Sequence, residues 1–260
     1  MEMETNLKKG YANALKAAFA ELAAGDAAQI CLNAAVTYHE GSSTYDVVFL
    51  GKVYHINTAA GEVTCGISED MGEQLMQSMA GSGCTGKRLE QSAADSGHMG
   101  GQLPQSMINS GKEVSATVKV LLLHYLNFAG NRPLTGKLVS FRELKNGAAI
   151  YYPAFYKRAV APLIKTFGNC VRELYRVSDK ISGMKENYGH ASITIRVLPM
   201  APVTFIMWEG EEDMPPSGTI LFDASIEDFL PAEDIVFAGS SGVYELIRLK
   251  NECEAIRQAI

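Results

Sequence analysis

Apolar and polar positions recur with two different periods along this chain, and the switches between them mark its elements. Near the start, Tyr11, Leu15, Phe19 and Leu22 stand at helical spacing, which predicts a helix capped by Asn6 and running to about Ala24. Asp26 then caps a second, short helix through Ala35. From Val36 to Thr64 the period falls to two, in the runs VTYH, TYDVVFL, KVYHIN and EVT. Turn residues at Glu40–Ser43, Gly51 and Ala59–Gly61 separate these runs, so the region reads as an antiparallel meander.

Helical spacing returns from Val114 to Phe128, closed by Gly130 and followed by an exit turn at Asn131–Gly136. A strand from Lys137 to Arg142 leads through Lys145-Asn146-Gly147 into the aromatic stretch Ala149–Tyr156. Pro153 suits an early position of a helix running to Phe167, and another helix spans Cys170–Ile181. Strands are expected at Ala191–Leu198, Val203–Trp208 and Thr219–Phe222, with Asp228–Pro231 as a connector. Ala232 to Ile260 reads as mostly a terminal helix, with Gly239-Ser240-Ser241-Gly242 as the place of an interruption. Strands and helices interleave without a Gly-rich βαβ fingerprint. This favours an α+β class over a doubly wound sheet: a single domain with an antiparallel sheet and packed helices.

One stretch fits neither period. Residues 70–83, 84–97 and 98–111 are three consecutive fourteen-residue units, each with Gly third, Leu sixth, Gln-Ser at eight and nine, and Ser-Gly at the end. Eight of the chain's 24 glycines and five of its eleven methionines fall in this tandem repeat. One Leu and one or two Met or Ala per unit make too thin an apolar stripe for an independent core. The expectation is a Gly/Met/Ser-rich insertion over 66–112, either short helical turns or disorder, inside a domain built from 1–65 and 113–260. Gly81–Lys87 spells G-x-x-x-x-G-K, but Arg88 stands where a phosphate-binding loop needs Ser or Thr, and no buried strand precedes it. The first positions of the units, Asp70, Cys84 and His98, are metal-ligand types, yet they read as the variable, solvent-facing slot of the repeat.

Composition narrows the class. At 47% hydrophobic and 20% charged the chain is globular, and no apolar run approaches a membrane span. A net charge of -6 argues against a nucleic-acid partner. The opening residues lack the order of a signal peptide, so the cytoplasm is the expected location. The five cysteines form no Cys-x-x-Cys pair, so neither an iron–sulfur run nor a zinc ribbon is encoded, and no metal ligand set is assigned.

Several segments resemble a known family. They are Tyr45–Gly51, Leu121–Leu126, Pro133–Leu144, Tyr151–Phe155, Trp208–Asp223 and Leu230–Asp234, in that order. Together they are similar to the bacterial and archaeal family called domain of unknown function 3786. The resemblance implies a setting in anaerobes, where some relatives are fused to a cysteine-rich iron–sulfur module, and hence in redox or corrinoid-linked one-carbon metabolism. It carries no catalytic residues over. This chain departs from the family pattern in having no cysteine-rich module and in inserting the repeats.

The polar residues inside those segments are the candidates for chemistry, each beside a plainer role. Arg142 has the planar fork to hold a carboxylate or phosphate, or pairs with Glu143 or Asp223. Tyr151, Tyr152 and Trp208 offer stacking faces, or are core residues with a satisfied polar tip. Glu209 opens an acidic run through Asp213 that is either a solvated loop or an oxygen-rich hard-metal site. Asp223 is a turn cap or faces a cleft. His124 lies near the apolar face of its helix, as a satisfied core histidine or an axial ligand. One Arg, three aromatics and a few carboxylates suit a flat, acid-bearing small molecule such as a corrinoid or other tetrapyrrole. The sequence therefore favours an accessory or binding protein that handles such a cofactor, or docks on a redox or one-carbon enzyme that carries one. An interaction module recruiting a partner through the Met-rich repeats is the alternative. An enzyme using Asp223 or Glu209 as acid/base comes third, since no nucleophile elbow, Ser-His-Asp signature or His-Glu-x-x-His occurs.

Overall fold

The structure is a computed structural model and describes residues 2–66, 113–145 and 148–258. The repeat units at 70–83, 84–97 and 98–111 lie outside the described residues. Helix α1 spans Glu2–Ala24, starting ahead of Asn6, so Asn6 lies inside it and does not cap it. Helix α2 spans Ala27–Ala34, and Asp26 caps it as expected, accepting from the N–H groups of Ala28 and Gln29 at 3.0 and 3.3 Å.

The period-two region folds as an antiparallel meander of β1 (Thr37–His39), β2 (Thr44–Phe49), β3 (Lys52–Asn57) and β4 (Glu62–Cys65), paired in that order. Its central turn is Leu50-Gly51, with φ of 50° and 76°, the two positive values of a hairpin turn whose twist matches its strands. Glycine adopts such a value freely, whereas leucine does so at a steric cost. Leu50 is buried, and its N–H donates to the Val197 carbonyl at 3.0 Å, which ties this turn to the second sheet. Alternation places Tyr45, Val47, Phe49, Tyr54, Ile56 and Val63 in the core.

Helix α3 spans Ala116–Phe128, with the Ser115 side chain accepting from Val118 N–H at its start. Val118, Leu121, Leu122, Leu123, Tyr125 and Leu126 are all buried, so it runs through the interior. The buried Tyr125 hydroxyl donates to the Ala34 carbonyl at 2.6 Å and accepts from Met200 N–H at 3.0 Å, which joins α2, α3 and the second sheet.

That second sheet has the order β5-β9-β8-β7-β6 and is antiparallel throughout. Its strands are β5 (Leu138–Ser140), β6 (Met184–Glu186), β7 (Ala191–Leu198), β8 (Ala201–Trp208) and β9 (Ser217–Asp223). The expected strand Lys137–Arg142 is cut short, because Ser140 and Glu143 form a capping box that starts a 3-10 turn over Phe141–Glu143. Helices α4 (Ala148–Phe155) and α5 (Ala161–Phe167) are joined by a π turn at Tyr156–Val160. Pro153 therefore sits inside α4, not at its opening, three residues before the helix widens into the π turn. A short helix α6 (Glu173–Ser178) follows.

Helix α7 runs unbroken over Ala232–Gln258, straight through Gly239–Gly242. The glycines that weaken it locally let it approach the sheet. A Cβ on Gly242 would meet the Phe205 ring at 2.9 Å, and one on Gly239 would meet Phe155 at 3.0 Å. The α+β class is as expected, with the strands divided between two antiparallel sheets that share one apolar core. Among the described residues, no helix is long and apolar enough to cross a membrane.

Candidate functional site

Helix α7 begins directly after Pro231, and its first turn carries Glu233 and Asp234, where carboxylates suit the positive end of the helix dipole. Two side chains from distant parts of the chain converge on them. His124, from the last turns of α3, places Nδ1 at 2.6 Å from Asp234 Oδ2. Tyr151, from α4, donates its hydroxyl to Glu233 Oε1 in a short hydrogen bond. Both contacts shift the groups that make them. The hydrogen bond to Asp234 holds the His124 imidazole above its usual pKa, with burial opposing. The bond to Glu233 likewise pushes the Tyr151 phenol up.

Beside these pairs opens a cleft of about 320 Å³, lined by Phe128, Tyr151, Glu227, Leu230, Pro231, Ala232 and Glu233. Glu227 accepts from Lys145 N–H at 2.8 Å, which fixes one wall. The floor mixes apolar Leu230 and Pro231 with an aromatic edge, since the Phe128 ring stands edge-on to His124 at 5.7 Å between centroids.

Arg142 and Tyr152 are also brought together: the guanidinium carbon lies 3.8 Å from the Tyr152 ring centroid. Among the described residues Arg142 makes no ion pair, so its donors face solvent. It pairs with neither Glu143 nor Asp223.

Asp223 is committed elsewhere. It is buried at the end of β9 and accepts from Thr135 N–H and hydroxyl, Gly136 N–H, and Ser225 N–H and hydroxyl, all within 3.0 Å. Burial pushes its carboxyl up, but these hydrogen bonds outweigh burial and leave the pKa below the ordinary value. It clasps the exit turn after α3 and lines no part of the cleft. Trp208 and Glu209 lie at the other end of the same hairpin, where Trp208 pairs with Ser217. Six residue steps along extended β9 take the chain from Ser217 to Asp223, roughly 20 Å. The structure therefore places Tyr151 in the lining of the cleft and His124 beside it, against Asp234 and Phe128, sets Arg142 on Tyr152, and leaves Trp208, Glu209 and Asp223 apart from them. Among the described residues, no group of three metal-ligating side chains is positioned to hold an ion.

A second polar cluster was not expected from the sequence. On the outer face of the meander, Asp46 is buried and accepts from His39 Nε2 at 2.8 Å and His55 Nδ1 at 2.6 Å. The signal was present in the two-residue turn at Leu50-Gly51, which sets Asp46 directly opposite His55. Glu233 and Asp234 had no such local signal, because their partners lie 82 and 110 residues away.

A family model described as Domain of unknown function (DUF3786) matches residues 98–245. That span includes every resembling segment from Leu121 onward and both cleft pairs, while Tyr45–Gly51 lies before it. No curated protein and no solved structure matches the chain.

Proposed function

The chain belongs to the DUF3786 family, and from that premise we propose that it is a cytoplasmic accessory protein that binds a small-molecule cofactor at the α7 cleft, the corrinoids and other tetrapyrroles being the class to test first. The observation that carries this reading is the pairing of His124 with Asp234. With Nδ1–H donated to the carboxylate, the lone pair resides on Nε2. A carboxylate behind an imidazole is how proteins orient a histidine toward a metal centre and raise its basicity.

The surroundings support a flat ligand. Phe128, Leu230 and Pro231 supply apolar surface, and Tyr151 supplies a phenol edge. Arg142, stacked on the residue next to Tyr151, supplies a cation for an acidic substituent. The volume suits the edge of a macrocycle, with the remainder outside the cleft. A corrinoid or haem held there would bring a metal ion, which the His124 imidazole beside the cleft would ligate through Nε2. Asp223 and Glu209 sit away from the cleft and from each other, which favours binding over acid–base chemistry by these two. A protein that holds such a cofactor would pass it to, or dock on, a redox or one-carbon enzyme that uses it.

The test is an anaerobic titration with hydroxocobalamin and with haem, followed by absorbance. A saturable spectral shift that disappears in His124→Ala, with the circular dichroism and melting temperature of that variant recorded alongside, is the expected result. Absence of any spectral change with either compound overturns the reading.

A further inference from the structure

The end of the second sheet remote from the cleft carries three large side chains that the core does not cover. Trp208 is 38% exposed, Tyr188 47% and Met214 65%. They come from two turns held rigidly side by side. In the turn before β7, Tyr188 N–H donates to Ser192 Oγ, and a Cβ on Gly189 would lie 3.2 Å from the Trp208 indole. Gly189 has φ +58°, so the turn passes close over the indole without a side chain between them. His190 joins the two turns, its N–H donating to the Met207 carbonyl and its Nδ1 accepting from Glu209 N–H at 2.9 Å.

The second turn links β8 to β9. Glu211 and Met214 exchange both backbone hydrogen bonds, at 2.9 and 3.0 Å, and present Glu212 and Asp213 at the tip. Pro215 and Pro216 follow, and Pro216 packs against Gly168 and Gly210. The turn is thus fixed in shape before any partner arrives, so ordering it adds little cost on binding.

Charge decides what fits. Glu209, Glu211, Glu212 and Asp213 surround the exposed Trp208 and Met214, and among the described residues none of the four forms an ion pair. Four unpaired negative charges in five residues, on a chain of net charge -6, repel acidic surfaces and attract basic ones. The apolar centre has the composition of an interface anchor, with Trp and Tyr supplying area at low entropic cost and Met adapting its shape.

We propose that this end of the second sheet is a docking surface for a protein segment that presents lysine or arginine around an apolar side chain. The apolar side chain seats against Trp208, Tyr188 and Met214, and the basic residues meet the carboxylates of the 209–213 run. The surface is independent of the α7 cleft.

Trp208 is the only tryptophan in the chain, so its fluorescence reports the surface directly. The probe is an amphipathic peptide of lysine and leucine, titrated beside its glutamate–leucine counterpart and an all-lysine peptide of equal length. The lysine–leucine peptide should give a saturable shift of the emission, with affinity falling about tenfold between low and moderate salt. The variant Glu209→Gln/Glu211→Gln/Glu212→Gln/Asp213→Asn should lose about tenfold or more of that affinity. Neutralising Glu40 and Glu62 on the meander should change nothing. The proposal is overturned if the lysine–leucine peptide leaves the emission unchanged, if the all-lysine peptide binds as tightly, or if the four-site variant binds like the parent. Circular dichroism of that variant, matching the parent, shows that its loss is not unfolding.

Discussion

His124 Nδ1 lies 2.6 Å from Asp234 Oδ2, across 110 residues of sequence, and joins the end of α3 to the first turn of α7. The bond raises the imidazole's pKa in the folded state. Its extra stabilisation is therefore fully present below the unfolded histidine value of about 6.5 and is lost as pH rises through the folded value. His124→Gln should lower the melting temperature at pH 5.5 by an amount equivalent to about 1 kcal/mol and have a smaller effect at pH 9. Thermal melts of both proteins across that range would show it. An equal loss at both pH values would refute the assignment.

Asp223 behaves oppositely with pH. Its folded pKa is depressed, so its contribution is present above the unfolded value of about 3.9 and is lost as pH falls through the folded value. Asp223→Asn keeps the shape but turns an amide toward donors that now meet a carboxylate. A loss of about 3 kcal/mol at pH 7 is expected, shrinking toward pH 3. Urea unfolding at several pH values measures this.

Asp46 is held by two imidazoles on the outer face of the meander, away from the α7 cleft. Asp46→Asn should cost about 2 kcal/mol, and a double-mutant cycle with His55→Gln should show coupling of about 1 kcal/mol. The spectral shift expected on titration with hydroxocobalamin or haem should be unaffected. If Asp46→Asn abolished cofactor binding while leaving the fold intact, the cleft would not be the site.

Gly242 tests why α7 survives a Gly-Ser-Ser-Gly segment. Alanine there gains up to about 1 kcal/mol of helix propensity but forces a Cβ against the buried Phe205 ring at 2.9 Å. A net loss of about 1 kcal/mol is expected, read as a lower melting temperature. Stabilisation instead would mean that the ring yields freely.

The meander was legible because turn residues bound its short runs of β-branched and aromatic residues, even though β2 is buried on both faces. Asp26 was legible as a cap because capping reaches only three residues along the chain. Propensity singles out Pro153 as a helix opening, which in fact lies five residues earlier at Ala148, and Gly239–Gly242 as a break, where close packing of α7 outweighs it in the fold. Of the candidate site, the residue types were readable but not the grouping. Arg142 next to Tyr152 depends on a 3-10 turn that replaces the end of a strand. Trp208 and Asp223 share the hairpin that their strands predicted, yet that hairpin holds them at opposite ends.

By itself, the sequence determined the α+β class, the capped and alternating elements, the resemblance to a family and the residue types available for chemistry. All of these rest on interactions or patterns within a few residues of each other. Only the tertiary structure decided which carboxylates pair with distant side chains, because His124 with Asp234 and Tyr151 with Glu233 are set by how α3 and α4 meet the start of α7. It also decided that Asp223 is held by the fold and that Glu209 borders an open acidic surface. A carboxylate's role follows from the donors that surround it, and those donors come from parts of the chain that no local pattern links.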